Sequence, residues 1–464
     1  MTIPAATPAE ALGYKQKAAQ QLLFAGHIDE GLAVIREVLR AIGMRLPESR
    51  RATIAALLLE RALVRLRRTR RARSRTDGSN PDQLMKVDAC WSVAAGLAVV
   101  DTTRGAVFQS RHFRLALSAG EVTRIHRALC MEIMFVATAG PAADQRLAGL
   151  NAALRELSPR IDTPYARAME QLAAGVSDYL AGRWGTAAGP VAEGERILRD
   201  QCTGVTWELD TARFFRWWSL YQLGELKTLI PEFPSLLNDA EQRGDLYAST
   251  TIGGLFAHVI HLAHGDPAMA SRHTAEAIAR WGEHGFNMPH LWEQWSTADI
   301  AIYQRSGAEA YHRLVALWPL LDRSLLLRVE FTRVSMLDLR ARAALSGAVT
   351  AAGRQREAFC GEALRCAEEL HRRRGDWPSA LALLITAGVS ALRGEVQVAL
   401  DRFARAEQLF KAIGMQLHTM VAQRRRGELS GGSGGEADIT AADRWMAEQG
   451  ITDTVAFSGM LSPR

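Results

Sequence analysis

Lysine is nearly missing from this chain. Only Lys15, Lys17, Lys86, Lys227 and Lys411 occur in 464 residues, so the formal charge of +6 is carried almost wholly by arginine. None of the five follows a glycine, which excludes the phosphate-binding loop whose lysine directly follows glycine. The tripeptides H-R-D and D-F-G of protein kinases are missing, and no histidine precedes a glutamate, so the H-E-x-x-H zinc motif is missing too. Cysteine is sparse and odd in number: Cys90, Cys130, Cys202, Cys360 and Cys366 fit neither a disulfide framework nor a zinc knuckle, and they read as reduced and mostly buried. The N-terminus has no basic start before an apolar core, and no window approaches 18 uninterrupted apolar residues. The cytoplasm is the expected compartment. No catalytic activity, cofactor or metal is expected from these motifs.

What the chain does have is apolar residues, 48% of the total, at helical spacing. Residues 9–25 and the segment after Gly26 form a first helical hairpin. Residues 52–75 continue as a helix with arginines at 61, 65, 67, 68, 70, 71, 73 and 75, and TDGSNPD then breaks the pattern. The arginine run contains no aromatic residue for base stacking. It reads as a solvated basic arm, not as a nucleic-acid site.

From Gly140 onward a short turn follows an apolar helix at Gly140, Gly182, Gly224, Gly265, Gly307 and Gly347, at intervals of 42, 42, 41, 42 and 40 residues, with a further copy at Gly394. Glycine at a helix end suits the left-handed cap. One unit, Cys202–Asp245, shows why the repeat is needed. Its first helix, 205–223, is apolar almost all round and must be covered on several faces, which stacked hairpins can do and one hairpin cannot. The expected fold is all-α, an α-solenoid of tetratricopeptide-like helical hairpins with a period near 41 residues. Three segments follow: 1–81, the N-terminal hairpin and basic arm; 82–429, the solenoid; and 430–464, a flexible Gly/Ser loop in GELSGGSGGEAD with a capping helix over 440–449.

Few residues stand out as sites. GGSGG matches G-x-S-x-G formally, but its polar flanks cannot supply the strand and helix of a nucleophile elbow. His258, His261 and His264 are spaced three apart, with no carboxylate or cysteine at matching spacing to complete a metal site. Asp210 and Arg213 share the one polar strip of the 205–223 helix and read as an ion pair or as groove residues. Trp217 and its neighbours read as core or as a concave recognition surface; seven of the eleven tryptophans fall between Trp207 and Trp318. Asp210, Arg213 and Trp217 are therefore the candidate partner-binding residues.

The segments AGHIDEGLAVIREVLRAIGMRLP, VDACWSVAAGLAVVDTTRGAVFQSRHFRLAL, CTGVTWELDTARFF and RRRGEL together resemble the C-terminal helical region of large bacterial proteins that join a serine/threonine kinase to an ATPase module and tetratricopeptide-like repeats. The resemblance spans residues 14–460. It implies a sensor or scaffold portion that signals through contacts with a protein or peptide partner, such as a kinase or ATPase module, and it carries over no kinase residue. The alternative is a small-molecule sensor whose ligand is enclosed by the Trp-rich middle repeats.

Overall fold

The computed structural model describes residues 8–66, 80–282 and 285–464, and every regular element among them is a helix. The first half contains α1 (Pro8–Phe24), α2 (Ile28–Ala41), α3 (Arg50–Leu66), α4 (Pro81–Val100), α5 (Thr102–Ala119), α6 (Val122–Ala137), α7 (Asp144–Leu157), α8 (Pro164–Leu180), α9 (Trp184–Gln201), α10 (Thr206–Leu223) and α11 (Leu226–Gln242). Then come α12 (Leu246–Ala263), α13 (Pro267–Trp281), α14 (Met288–Tyr303), α15 (Gly307–Arg323), α16 (Glu330–Thr350), α17 (Gly353–His371), α18 (Asp376–Leu392), α19 (Val396–Ala412), α20 (Gln416–Ser430), α21 (Gly432–Glu448) and α22 (Thr454–Leu461). Consecutive helices pack on one another throughout, which makes the architecture repeat-like.

Local chemistry sets many of the helix ends. Asn80, Asp101, Thr163, Asp245, Asp266 and Asp453 each cap a helix N-terminus by accepting a first-turn N–H. Gly26, Gly140, Gly182, Gly224, Gly265 and Gly394 all have positive φ, as the turn reading required. Two other expected turns differ. At Gly307 the left-handed residue is Arg305 (φ 62°), and Gly347 lies inside α16. These two glycines serve a close crossing instead: a Cβ on Gly307 would sit 2.7 Å from the Gly347 backbone nitrogen.

The same distinction corrects the C-terminal Gly/Ser segment, which is helical and not a loop. Only Gly431 separates α20 from α21. A Cβ on Gly427 would lie 2.7 Å from the Gly435 carbonyl oxygen, and one on Gly435 would lie 2.4 Å from the Gly427 carbonyl, so these glycines let two helices touch backbone to backbone. The capping helix expected over 440–449 begins earlier, at Gly432, and α22 follows it with Phe457, Met460 and Leu461 buried.

The arginine run divides. Arginines 67, 68, 70, 71, 73 and 75 lie outside the described residues. Arg61 turns inward, donating from Nη1 and Nη2 to the fully buried Glu132 carboxylate at 3.0 and 2.8 Å. Arg146 donates to the same carboxylate at 2.6 Å.

Contacts between distant parts of the chain explain why α10 and its counterparts are apolar all round. The Glu330 N–H at the start of α16 donates to the Thr138 carbonyl at 2.8 Å. Gly182 lies against Trp377, and Gly224 against Leu417 and Trp445. The Thr452 N–H donates to the Ala263 carbonyl at 2.8 Å, across 189 residues. The separation is nearly the same in each case, so helices of the second half lie on helices of the first. Aromatic rings fill the seam: Tyr179 is 4.9 Å from Phe331, and Trp184 is 5.2 Å from Trp377. One apolar cluster consequently runs from Val64 to Leu461, and a smaller one joins α1 and α2 to α4 and Trp281.

Among the described residues only α12 is long and apolar enough to cross a membrane, and 78% of it is buried inside the fold. Packing accounts for its composition.

Candidate recognition site

The three residues singled out on α10 part company in the fold. Trp217 is 1% exposed and stacks on Phe256, with ring centroids 4.0 Å apart and planes 2° from parallel. It belongs to the interior and presents no surface to a partner. Asp210 and Arg213 are 3.9 Å apart, but their shorter bonds go to α11 and the residue after it: Arg213 Nη1 to Asp239 Oδ2 at 2.5 Å, and Arg243 Nη2 to Asp210 Oδ1 at 2.7 Å. Arg216, one turn further along α10, joins Glu195 of α9 at 2.9 Å and Glu232 of α11 at 2.7 Å. The polar strip is thus a ladder of ion pairs tying three consecutive helices together.

The ladder shifts the acidities of its members. Burial pushes Glu232 up despite Arg216, whereas the bonds and charge of Arg213 more than offset the burial of Asp239 and hold it down. At the end of the ladder Asp245, the cap of α12, is pushed up to about 7 by burial and by the adjoining Asp210 carboxylate. Arg213 is held by Asp239, with Glu195 3.7 Å away, so replacing it would strip a charge from the ladder before it tested any partner.

Beyond Asp245 the surface continues into an open groove of about 480 Å³ between α11, α12 and α13, lined in part by Leu237, Glu241, Gly253, His273, Glu276 and Arg280. Its rim is bridged at one point, where Arg280 Nη1 donates to Glu241 Oε1 at 3.0 Å. Gly253 belongs to a π-helical turn, Ile252–Phe256, within α12. Such turns widen the helix and release a carbonyl from its usual partner. Here the Gly254 carbonyl accepts from Ser296 Oγ at 3.3 Å, and Gly253 leaves the groove without a side chain at that point. The groove is acidic on balance, with two carboxylates against one guanidinium and an imidazole.

The three histidines of α12 and the turn after it do not converge. His258 is buried, with Ser296 Oγ 3.0 Å from Nδ1 and Asp299 Oδ2 3.4 Å from Nε2. That hydroxyl–imidazole–carboxylate order lies wholly in the interior, because Ser296 is fully buried and Asp299 is committed to Arg342 and to the Trp295 N–H. His261 Nε2 instead meets His273 Nδ1 at 2.9 Å, and burial, then the His273 charge, push His261 down to about 4. Among the described residues no three His, Cys, Asp or Glu side chains come together as a metal site.

Sequence reasoning missed the groove, since its walls come from three helices and its floor from a π-turn that no spacing rule signals. The Gly253–Gly254 pair inside an apolar helix was the one available hint. No family model, curated protein or solved structure matches the chain.

Proposed function

We propose that this chain is a non-enzymatic recognition scaffold of bacterial signalling in the cytoplasm, an α-solenoid of tetratricopeptide-like hairpins with a period near 41 residues. Contacts that recur at a separation near 189 residues are what a coil returning on itself after between four and five such units would give. In such a coil the first helix of each unit is consumed by internal packing, and recognition falls to the outer faces. The observation that carries the reading is the acidic groove beside the ion-pair ladder: it is open, lined by α11, α12 and α13, and unfilled by the protein's own side chains at Gly253. Its partner is a protein or peptide segment bearing lysine or arginine, such as an exposed loop of a kinase or ATPase module.

The reading of a small molecule enclosed by tryptophans has less support. Trp217, Trp218, Trp281, Trp292 and Trp295 are buried against their neighbours, and the groove has no tryptophan in its wall.

Selection from a displayed random-peptide library tests the proposal. Enriched peptides should carry basic residues, and their binding should fall at least about tenfold in Glu276→Lys and Glu241→Lys variants with unchanged melting temperatures. Enrichment of acidic peptides, or binding that survives both reversals, overturns it.

A further inference from the structure

A second cleft, of about 320 Å³, lies where the start of α3, the α4–α5 junction, the turn before α14 and the end of α15 meet. Its walls carry Arg50, Arg104 and Arg323 against a single carboxylate, Asp101. Arg104 is committed: Nε and Nη2 donate to the Pro47 and Glu48 carbonyls at 2.8 Å, and Nη1 lies 3.1 Å from Asp101 Oδ2. Arg50 and Arg323 have no hydrogen-bond or ion-pair partner among the described residues. Thr102 and Thr103 open α5 on the same wall, where the first-turn N–H groups of a helix favour an anion.

The independent sign of a ligand is Asn287, which lines the cleft and is 4% exposed. Its Oδ1 accepts from Trp281 Nε1 at 3.0 Å and contacts His290 Nδ1 at 2.7 Å, which fixes the orientation of the amide. The Nδ2 group is then a buried donor with no partner among the described residues. A native fold rarely leaves such a donor unmet, and an acceptor in the cleft would meet it.

We propose that this cleft binds the phosphate monoester of a small molecule. Three guanidiniums against one carboxylate leave an excess of two positive charges, which matches a phosphate dianion better than a single carboxylate. Arg50 and Arg323 bind the phosphoryl oxygens, Asn287 Nδ2 donates to a third acceptor, and Phe286, Val100 and Leu326 cover the organic part. The volume suits a small molecule and not a folded segment of chain.

Isothermal titration of the full chain with phenyl phosphate, with inorganic phosphate and benzoate alongside, tests this site separately from the acidic groove. Phenyl phosphate should bind, with inorganic phosphate weaker and benzoate at least about tenfold weaker. Arg50→Gln and Arg323→Gln should each weaken phenyl phosphate about tenfold or more without changing the melting temperature of the free protein. Asn287→Asp, which keeps the acceptor for Trp281 and replaces the donor, should abolish binding. If that variant does not fold, the two arginine variants decide. No binding of phenyl phosphate at millimolar concentration, equal binding of benzoate, or full binding by both arginine variants overturns the proposal.

Discussion

Replacing Arg342 by methionine should destabilise the fold by about 3–5 kcal/mol at neutral pH, because it strands two buried carboxylates. The Arg342 side chain is only 7% exposed. Its Nε donates to Asp338 Oδ2 at 2.7 Å, and its Nη1 donates to Asp299 Oδ1 at 2.8 Å and to the Met460 carbonyl at 3.0 Å. One guanidinium therefore joins α14, α16 and the C-terminal α22. Asp299 is buried, yet Arg342 first and then His258 hold it below the usual carboxylate range, whereas burial keeps Asp338 above that range. The charged form of Asp299 thus stabilises the wild-type fold above the unfolded value near 4, a contribution lost only as pH falls below that. Without Arg342, burial dominates at both carboxylates and raises both. Their contribution then turns unfavourable as pH rises from about 4 through the raised values, so the loss should be smaller at about pH 5 than at about pH 7. Urea denaturation of both proteins at the two pH values measures this. The triple variant Arg342→Met, Asp299→Asn, Asp338→Asn should recover most of the loss. A loss under about 1 kcal/mol, the scale of an exposed ion pair, or an equal loss at both pH values, refutes the reasoning.

Two further outcomes follow from the geometry. Asp245→Asn keeps a capping oxygen for α12 but removes an acid raised in the fold to about 7, so the variant should gain stability relative to wild type as pH rises from about 4 to about 7 and hold that gain above, by about 2 kcal/mol in chemical denaturation. Gly427→Ala should lower the melting temperature, because the new methyl meets the Gly435 carbonyl of the facing helix, whereas Gly434→Ala, with nothing within 4 Å, should be neutral or raise it, by up to about 1 kcal/mol in stability.

The all-helical class and most turn positions were legible in the sequence because they depend on local chemistry. Apolar spacing defines a helix, and glycine at Gly182 or Gly224 supplies the left-handed conformation its neighbours resist. Glycine is ambiguous once packing decides. Gly347 and the GGSGG segment look like loop makers, but they allow helices to approach closely, and only the partner backbone reveals this. The apolar surface of α10 was readable as a need for cover, while the helices that cover it lie some 189 residues away and leave no local trace. Trp217 illustrates the consequence: the sequence offered core or recognition surface, and the ring of Phe256 fills its face. The charged strip was legible at Asp210 and Arg213, but their partners Arg243 and Asp239 follow from the way α11 folds back, not from i,i+3 spacing. The acidic groove and the arginine cleft were not legible, since each draws its walls from several helices.

The central claim is that the second half of the chain lies on the first, so that the apolar helices are used up inside and recognition falls to the outside. Amide hydrogen exchange at Glu330 and Thr452 tests it most directly. Glu330 is the first residue of its helix and Thr452 precedes one, positions whose N–H groups have no acceptor within their own helix. In this fold they donate to Thr138 and Ala263 across the seam. Both amides should exchange as slowly as the middle of the core helices; exchange at the rate of exposed first-turn amides would contradict the account.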